Sequence, residues 1–166
     1  MATIKPAYTN SATIVISPAS LATSSTRVAG RQSDVVDNTS SLFLDCLVTG
    51  KVTTGTSPTA GKQIDIWVFA SEDGTNYPEG FSTADAARSA NSENTRNSAL
   101  RLAATVIVDS TSDRTYYVAP FSIAALYGGN MPRKWGLWVV HDTAVNLNAT
   151  AGNHAWTYTG FHAISV

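Results

Sequence analysis

The sequence predicts an all-β protein: a single-domain antiparallel β-sandwich, jelly-roll-like, with long loops and at most one or two short helical turns. Three observations lead there. Apolar residues recur with period two, as at Ile64, Ile66, Val68 and Ala70, which is the spacing of side chains along one face of a strand. The same stretches are rich in Val, Ile, Thr, Trp and Tyr, whose branched or flat side chains suit a pleated surface. Between them, clusters of Gly, Pro, Asp and Ser recur about every ten residues, the rhythm of turns in a sandwich. A chain of 166 residues is long enough for one domain with its own core. Residues 1–10 read as an N-terminal arm and residues 11–166 as the sandwich.

The arm is polar, with too little apolar content to fold alone, so a neighbouring subunit is expected to order it. Ala12–Ile16 reads as a short strand stopped by Ser17-Pro18, because proline cannot donate to a ladder. From Ala19 to Ser40 no period is sustained, and only a short strand around Asp34–Asp37 is expected. Ser41–Val52 predicts the first long strand. Its alternation sets Leu42, Leu44, Cys46 and Val48 on one face and Phe43, Asp45, Leu47, Thr49 and Lys51 on the other, and the face with Asp45 and Lys51 is the solvated or interfacial one.

Residues 53–62 carry Gly and Pro without a large apolar anchor and read as a mobile loop. Gln63–Ser71 is a second long strand, closed by a turn at Asp73-Gly74. Tyr77–Asn97 is the longest stretch without strand character. Within it Thr83–Ala90 predicts a short helix, with Ser82 or Thr83 as N-cap and Asp85 near the positive end of its dipole. Leu100–Val108 and Arg114–Phe121 read as strands, the latter terminated by Pro120, and Ser122–Leu126 as one helical turn. Lys134–His141 is apolar on both faces, with Trp135, Leu137 and Val139 on one and Trp138 and Val140 on the other, as in a central strand. His154–Val166 reads as a half-buried strand beside it. These last two strands are the pair around which the rest is expected to assemble.

Composition excludes several functions. Charged residues are 14% of the chain and the net charge is −1, so the basic stripe that would bind nucleic acid is missing. Ala, Ser, Thr, Asn and Gly make up half of the residues, a balance common in proteins that pack against other proteins. The single Cys46 has no partner for an internal disulfide and reads as a buried thiol. The N-terminus lacks the apolar run of a secretory signal, and no stretch approaches the roughly 20 apolar residues of a membrane span. Synthesis in a cytoplasm is therefore expected, and the sequons at Asn38 and Asn148 have no consequence there.

Several blocks carry a resemblance. They are Phe43-Leu44-Asp45 with Gly50–Thr59, Ile66–Pro78 with its Glu72-Asp73-Gly74-Thr75-Asn76-Tyr77-Pro78 ending, Gly128–His141, and Leu147–Thr150 with Tyr158-Thr159-Gly160. Together they resemble a group of structural proteins of tailed-bacteriophage virions, over roughly residues 41–166. The resemblance implies a non-enzymatic virion protein made in the host bacterial cytoplasm, of the kind that decorates the capsid and stabilises the assembled shell. It also implies partners: the major capsid protein or other virion proteins, and further copies of the chain as a homo-oligomer. It brings no catalytic, cofactor-binding or metal-ligating residues, and the first forty residues lie outside it.

A search for chemistry independent of that resemblance agrees. Nucleophilic catalysis needs Ser or Cys beside a His with an orienting third group. The three histidines, His141, His154 and His162, lie on or beside strands without a Gly-x-Ser-x-Gly elbow and read as surface or interface residues. His154 and His162 are eight positions apart on one strand, about 26 Å, too far to share a zinc ion. The acidic pairs Asp34/Asp37, Glu72/Asp73 and Asp109/Asp113 lack the alternating ligand pattern of a calcium loop and read as turn residues. Sugar binding is the rival reading: a glycan- or host-receptor-binding module would use exposed rings from Trp67, Tyr77, Trp135, Trp156 and Tyr158. Because all but Tyr77 lie within strands, packing is the expected role of these rings.

Overall fold

The computed structural model describes residues 3–166; Met1 and Ala2 of the arm lie outside the described residues. Eleven strands are described: β1 (Ile4–Tyr8), β2 (Ala12–Thr13), β3 (Ala29–Gln32), β4 (Val36–Asp37), β5 (Asp45–Thr53), β6 (Gln63–Ser71), β7 (Ala86–Ser89), β8 (Arg101–Ile107), β9 (Thr115–Ser122), β10 (Lys134–His141) and β11 (Ala155–Ser165). Two short helices, α1 (Glu93–Ala99) and α2 (Ile123–Leu126), accompany them. One sheet has the order β1-β11-β5-β9, with β2 also on β11; the other has the order β7-β3-β10-β6-β8, with β4 also on β10. Every pairing is antiparallel, so the molecule is an all-β sandwich.

The two sheets close over a core built by the inward positions of the long strands. Cys46, Val48 and Val52 of β5, Ile64, Ile66 and Val68 of β6, Trp135, Leu137 and Val139 of β10, and Trp156 of β11 are all buried in it. A second, smaller core lies on the opposite face of β6 and β10, where Trp67, Phe69, Trp138 and Val140 meet Phe81, Ala90 and Leu100. The segment 77–100, apart from β7 itself, thus folds back as a cover over the outer face of the β7-β3-β10-β6-β8 sheet. This double burial explains why β10 is apolar on both faces, as its sequence requires of a central strand.

Close approach fixes two glycines. A Cβ on Gly50 would lie 2.2 Å from the Trp156 ring, and one on Gly160 would lie 2.5 Å from the Phe43 ring. Both rings therefore lie flat on the β5–β11 pair, where only hydrogen leaves room.

Several expectations are corrected. Residues 83–90 hold no helix: Ala86–Ser89 is β7, paired with β3. The Gln32 side chain donates to the Ser82 and Ala84 carbonyls, and Arg31 pairs with Asp85 at 2.6 Å. Neighbours some fifty positions away in sequence thus hold the segment extended. The helix begins later, where Ser92 and Thr95 form a capping box and Glu93 occupies the first turn. Pro120 does not end β9, because that strand is a sheet edge and its register with β5 shifts between Val48 and Gly50, a bulge that tolerates a missing donor.

The first long strand starts at Asp45 rather than Ser41. Leu42 adopts φ 50°, which turns Phe43 inward and leaves Leu42 and Leu44 exposed at 71% and 55%. In β8 a register shift opposite Ile66/Trp67 turns Leu102 outward. Only Ala12–Thr13 of the expected strand 12–16 pairs as β2, and β3 arises within a stretch read as loop. The connection 53–62 is tied down rather than free: Gly61 donates to the Val108 carbonyl, Thr59 donates to Thr143, and Gly55 accepts from Asp113. The described part of the arm is not left for a neighbour to order, because Ile4–Tyr8 pairs with β11 of its own chain.

Candidate interaction face

The outer face of the β1-β11-β5-β9 sheet is assembled by register. Opposite Tyr8 on β1 stands Phe161 on β11, and opposite Phe161 stands Asp45 on β5. Two residues further along, Thr159 faces Leu47, and beyond that Thr157 faces Thr49 and Ala155 faces Lys51. Lys51 in turn stands opposite Tyr117 on β9. Alternation sends all of these outward, since their neighbours Cys46, Val48, Trp156 and Gly160 point into the core.

The result is an apolar and neutral surface. Ile4 is 73% exposed, Tyr8 65%, Leu44 55%, Leu47 38% and Tyr117 80%. Tyr8 and Phe161 lean together with ring centroids 5.3 Å apart. Tyr8, Leu44, Leu47 and Phe161 ring a shallow hollow of about 270 Å³ whose remaining wall is Asp45. That carboxylate accepts from the Cys46 amide at 2.7 Å, the Ser122 hydroxyl at 2.7 Å and the Ala124 amide at 2.9 Å, so it is firmly placed.

Two of the three histidines are buried, where the sequence reading made all three surface or interface residues. His141 is fully buried and His154 is buried. The Nε2 of His141 lies 3.0 Å from the Leu21 carbonyl and its Nδ1 lies 2.9 Å from the Thr143 hydroxyl. His154 Nε2 donates to the Asn148 carbonyl at 2.9 Å, and its Nδ1 accepts from the Thr53 amide. Burial lowers the pKa of both, which keeps them neutral and structural. Only His162 is half-exposed, stacked obliquely 6.2 Å from Phe43.

Of the rings weighed as a sugar platform, the three tryptophans are interior and the two tyrosines half-buried. Trp67, Trp135 and Trp156 are 6% exposed or less. Tyr158 is set edge-on to Trp135 at 5.7 Å, and Tyr77 edge-on to Phe69 at 5.9 Å within the covering segment.

The acidic pairs act as turn residues. Asp73 accepts from the Thr75 and Asn76 amides, the Asn76 side chain and Ser71, and these bonds hold its carboxyl well below the usual range. Asp109 binds the Thr111 amide, Tyr116 and Arg114, which brings it down to about 2. Asp34 accepts from the Asp85 amide, Asp37 from Thr39, and Asp113 from Asn148.

Sequence reasoning missed a partly buried ionic cluster: Arg27 bridges Asp65 at 3.0 Å and Asp142 at 3.1 Å. Thr105 and the Gln63 amide satisfy the remaining carboxylate oxygens. It draws on loop and strand positions scattered over the chain, and its two carboxylates, each held by Arg27 and a second donor, mark it as a clamp between segments. Among the described residues no group of three or more His, Cys, Asp or Glu is placed to hold a metal ion, and no described helix is long and apolar enough to cross a membrane. No protein-family model matches the chain, and no curated protein or solved structure matches it either.

Proposed function

We propose that the protein is a non-enzymatic structural protein of a tailed-bacteriophage virion, one that decorates the capsid and stabilises the assembled shell. The observation that carries this reading is the outer face of the β1-β11-β5-β9 sheet. It is exposed, apolar and neutral in character, as suits a protein that acts by packing against other proteins. The resemblance of residues 41–166 to virion structural proteins supports the assignment to a phage particle. Strand order supports a jelly-roll reading, since the connections β5–β6, β8–β9, β9–β10 and β10–β11 each cross between the two sheets, and jelly rolls recur in viral shells.

In this reading the partners are the major capsid protein or other virion proteins, together with copies of the chain itself. The mechanism is stabilisation by mass action: a protein that engages only the assembled lattice raises the stability of that lattice. Contacts at several lattice positions gain from effective concentration even when each is weak. With charge scarce, binding should persist to about 1 M salt, where the Debye length is near 3 Å. The test is to add the protein back to particles that lack it, at increasing salt, and to compare shell melting with and without it. Retained binding with a raised melting temperature is expected. Unchanged melting with reduced host adsorption would transfer the assignment to the glycan- or receptor-binding alternative.

A further inference from the structure

Two charges stand on the otherwise neutral outer face, Asp45 and Lys51, both half-buried on β5 at outward register positions, the Asp45 carboxylate held by Cys46, Ser122 and Ala124. They are six positions apart, about 20 Å along the strand. Neither forms an ion pair among the described residues. Asp45 is fixed in the wall of the hollow lined by Tyr8, Leu44, Leu47 and Phe161, whereas Lys51 lies half-buried beside the exposed Tyr117.

We infer that this face docks on the same face of a second copy of the chain. The two copies are related by a two-fold axis lying in the interface and crossing β5 at right angles midway between Asp45 and Lys51. Such an axis exchanges the two ends of β5, so Lys51 of each copy meets Asp45 of the other. The proposal rests on reading the face as an association surface and names its occupant.

Four features favour a second copy. A two-fold contact must be self-complementary, and one strand carrying an unpaired anion and an unpaired cation at opposite ends meets that condition with two identical ion pairs. The hollow suits a lysine: its walls accept the aliphatic stem, and the Tyr8 and Phe161 rings flank the position of the ammonium. Size is adequate, because four strands of mean length about eight residues cover roughly 19 by 28 Å, or about 500 Å² in projection. Side-chain relief raises the accessible area towards the about 800 Å² per partner of a standard interface.

The fourth feature is that the β1 edge of this sheet is blunted. Thr3 and Val166 exchange backbone hydrogen bonds, so by alternation Lys5 and Ala7 also turn their amides towards β11 and position 6 faces away. Pro6 therefore stands on the β1 edge without a donor, which disfavours strand addition there and favours association through the face.

Sedimentation velocity on the full chain from about 1 to 100 µM tests this, with folding of every variant checked by circular dichroism. A concentration-dependent dimer is expected, with Lys51→Glu raising its dissociation constant by about tenfold or more. Mixing the Lys51→Glu chain with an Asp45→Lys chain should restore association, because every facing pair in the mixed dimer is again of opposite sign. If Asp45→Lys does not fold, Leu44→Ser provides the second variant and should weaken the dimer without any charge change.

A monomer at 100 µM, or a dimer indifferent to both Lys51→Glu and Leu44→Ser, overturns the inference. If the chain is monomeric and these variants lose particle binding instead, the face belongs to the shell and the virion role survives alone. A dimer that behaves as expected but leaves shell melting unchanged would overturn the decoration role and leave this inference standing.

Discussion

Trp138→Ala removes the centre of the second core. Trp138 is 0% exposed, meets Phe81 edge-on at 5.8 Å and shares its cluster with Phe69, Leu100 and Val140. A Cβ on Gly30 would lie 2.9 Å from the indole, so the ring rests on bare β3 backbone that has no side chain to swing into a void. Truncating a buried aromatic under those conditions costs about 3–5 kcal/mol. The indole also donates to the Arg88 carbonyl at 3.1 Å, and orphaning that acceptor adds about 1 kcal/mol or more. Against a total stability of about 5–15 kcal/mol, the variant should be poorly soluble or strongly destabilised in urea unfolding. Trp138→Phe keeps most of the volume and loses the hydrogen bond, so it should cost only about 1–2 kcal/mol. Limited proteolysis of either variant should cut first within 77–100. A Trp138→Ala protein that folds with a loss below about 1 kcal/mol would refute the packing argument, as would one that folds normally but loses binding to a glycan or to cells.

Three further perturbations test other parts of the structure. Gly50→Ala drives a methyl group into the Trp156 ring and to within 2.8 Å of the Ala155 carbonyl, and Trp156 is only 1% exposed; thermal unfolding should show a loss of about 1–3 kcal/mol, and an unchanged melting temperature would mean that the ring does not lie there. Deleting residues 2–10 removes β1, whose Ile4 and Tyr8 are mostly exposed, so circular dichroism should show an intact fold with a small drop in melting temperature and more aggregation from the bared β11 edge; loss of folding would show that the strand is part of the core. His141 and His154 have folded pKa values lowered by burial, so the folded state binds fewer protons than the unfolded one. Their contribution is complete above the unfolded value of about 6.5 and is lost as pH falls below it, by at most about 1.4 kcal/mol per pH unit for each histidine. Urea midpoints at pH 7.5 and 5.5 should differ in that direction and differ less in His141→Gln; equal midpoints would contradict the buried neutral assignment.

The parts of this fold that were legible are those in which one strand's own alternation decides its conformation. β6 and β10 carry so many apolar residues at both parities that no other element would bury them, and β11 and most of β5 show their phase directly. What sequence alone could not supply were decisions made by distant partners. Ala86–Ser89 has helix-favouring alanines, yet Gln32 and Arg31 capture its flanking backbone and Asp85 from across the sheet. β3 itself, Ala29–Gln32, has almost no apolar content to signal a strand. A local sign of α1 was present in Ser92 and Thr95, three apart as a capping box requires, yet the sequence reading placed the helix upstream on the alanine run. For the candidate face, the placement of Asp45, Leu47, Thr49 and Lys51 on one solvated or interfacial side was legible from period two. The inversion at Leu42 was not, because a single left-handed residue changes the phase without changing the pattern.

The contrast between the two outer faces bears on why exposed apolar residues occur here. An antiparallel sandwich needs apolar side chains only on its inner faces, and its outward positions are free to be polar. On the β7-β3-β10-β6-β8 sheet the outward residues Trp67, Phe69, Trp138 and Val140 are apolar because segment 77–100 covers them. On the other sheet Tyr8, Leu44, Leu47, Phe161 and Tyr117 have no such cover among the described residues, while Thr49, Thr157 and Thr159 on the same face show that hydroxyl side chains fit there equally well. Folding therefore does not require the apolar choices, and the free energy of burying them is available for association. At about 25 cal/mol per Å², burying half of a roughly 500 Å² face as apolar surface is worth about 6 kcal/mol before the costs of association. That magnitude gives a single contact of modest strength, and it becomes firm attachment only where several copies engage a repeating surface together.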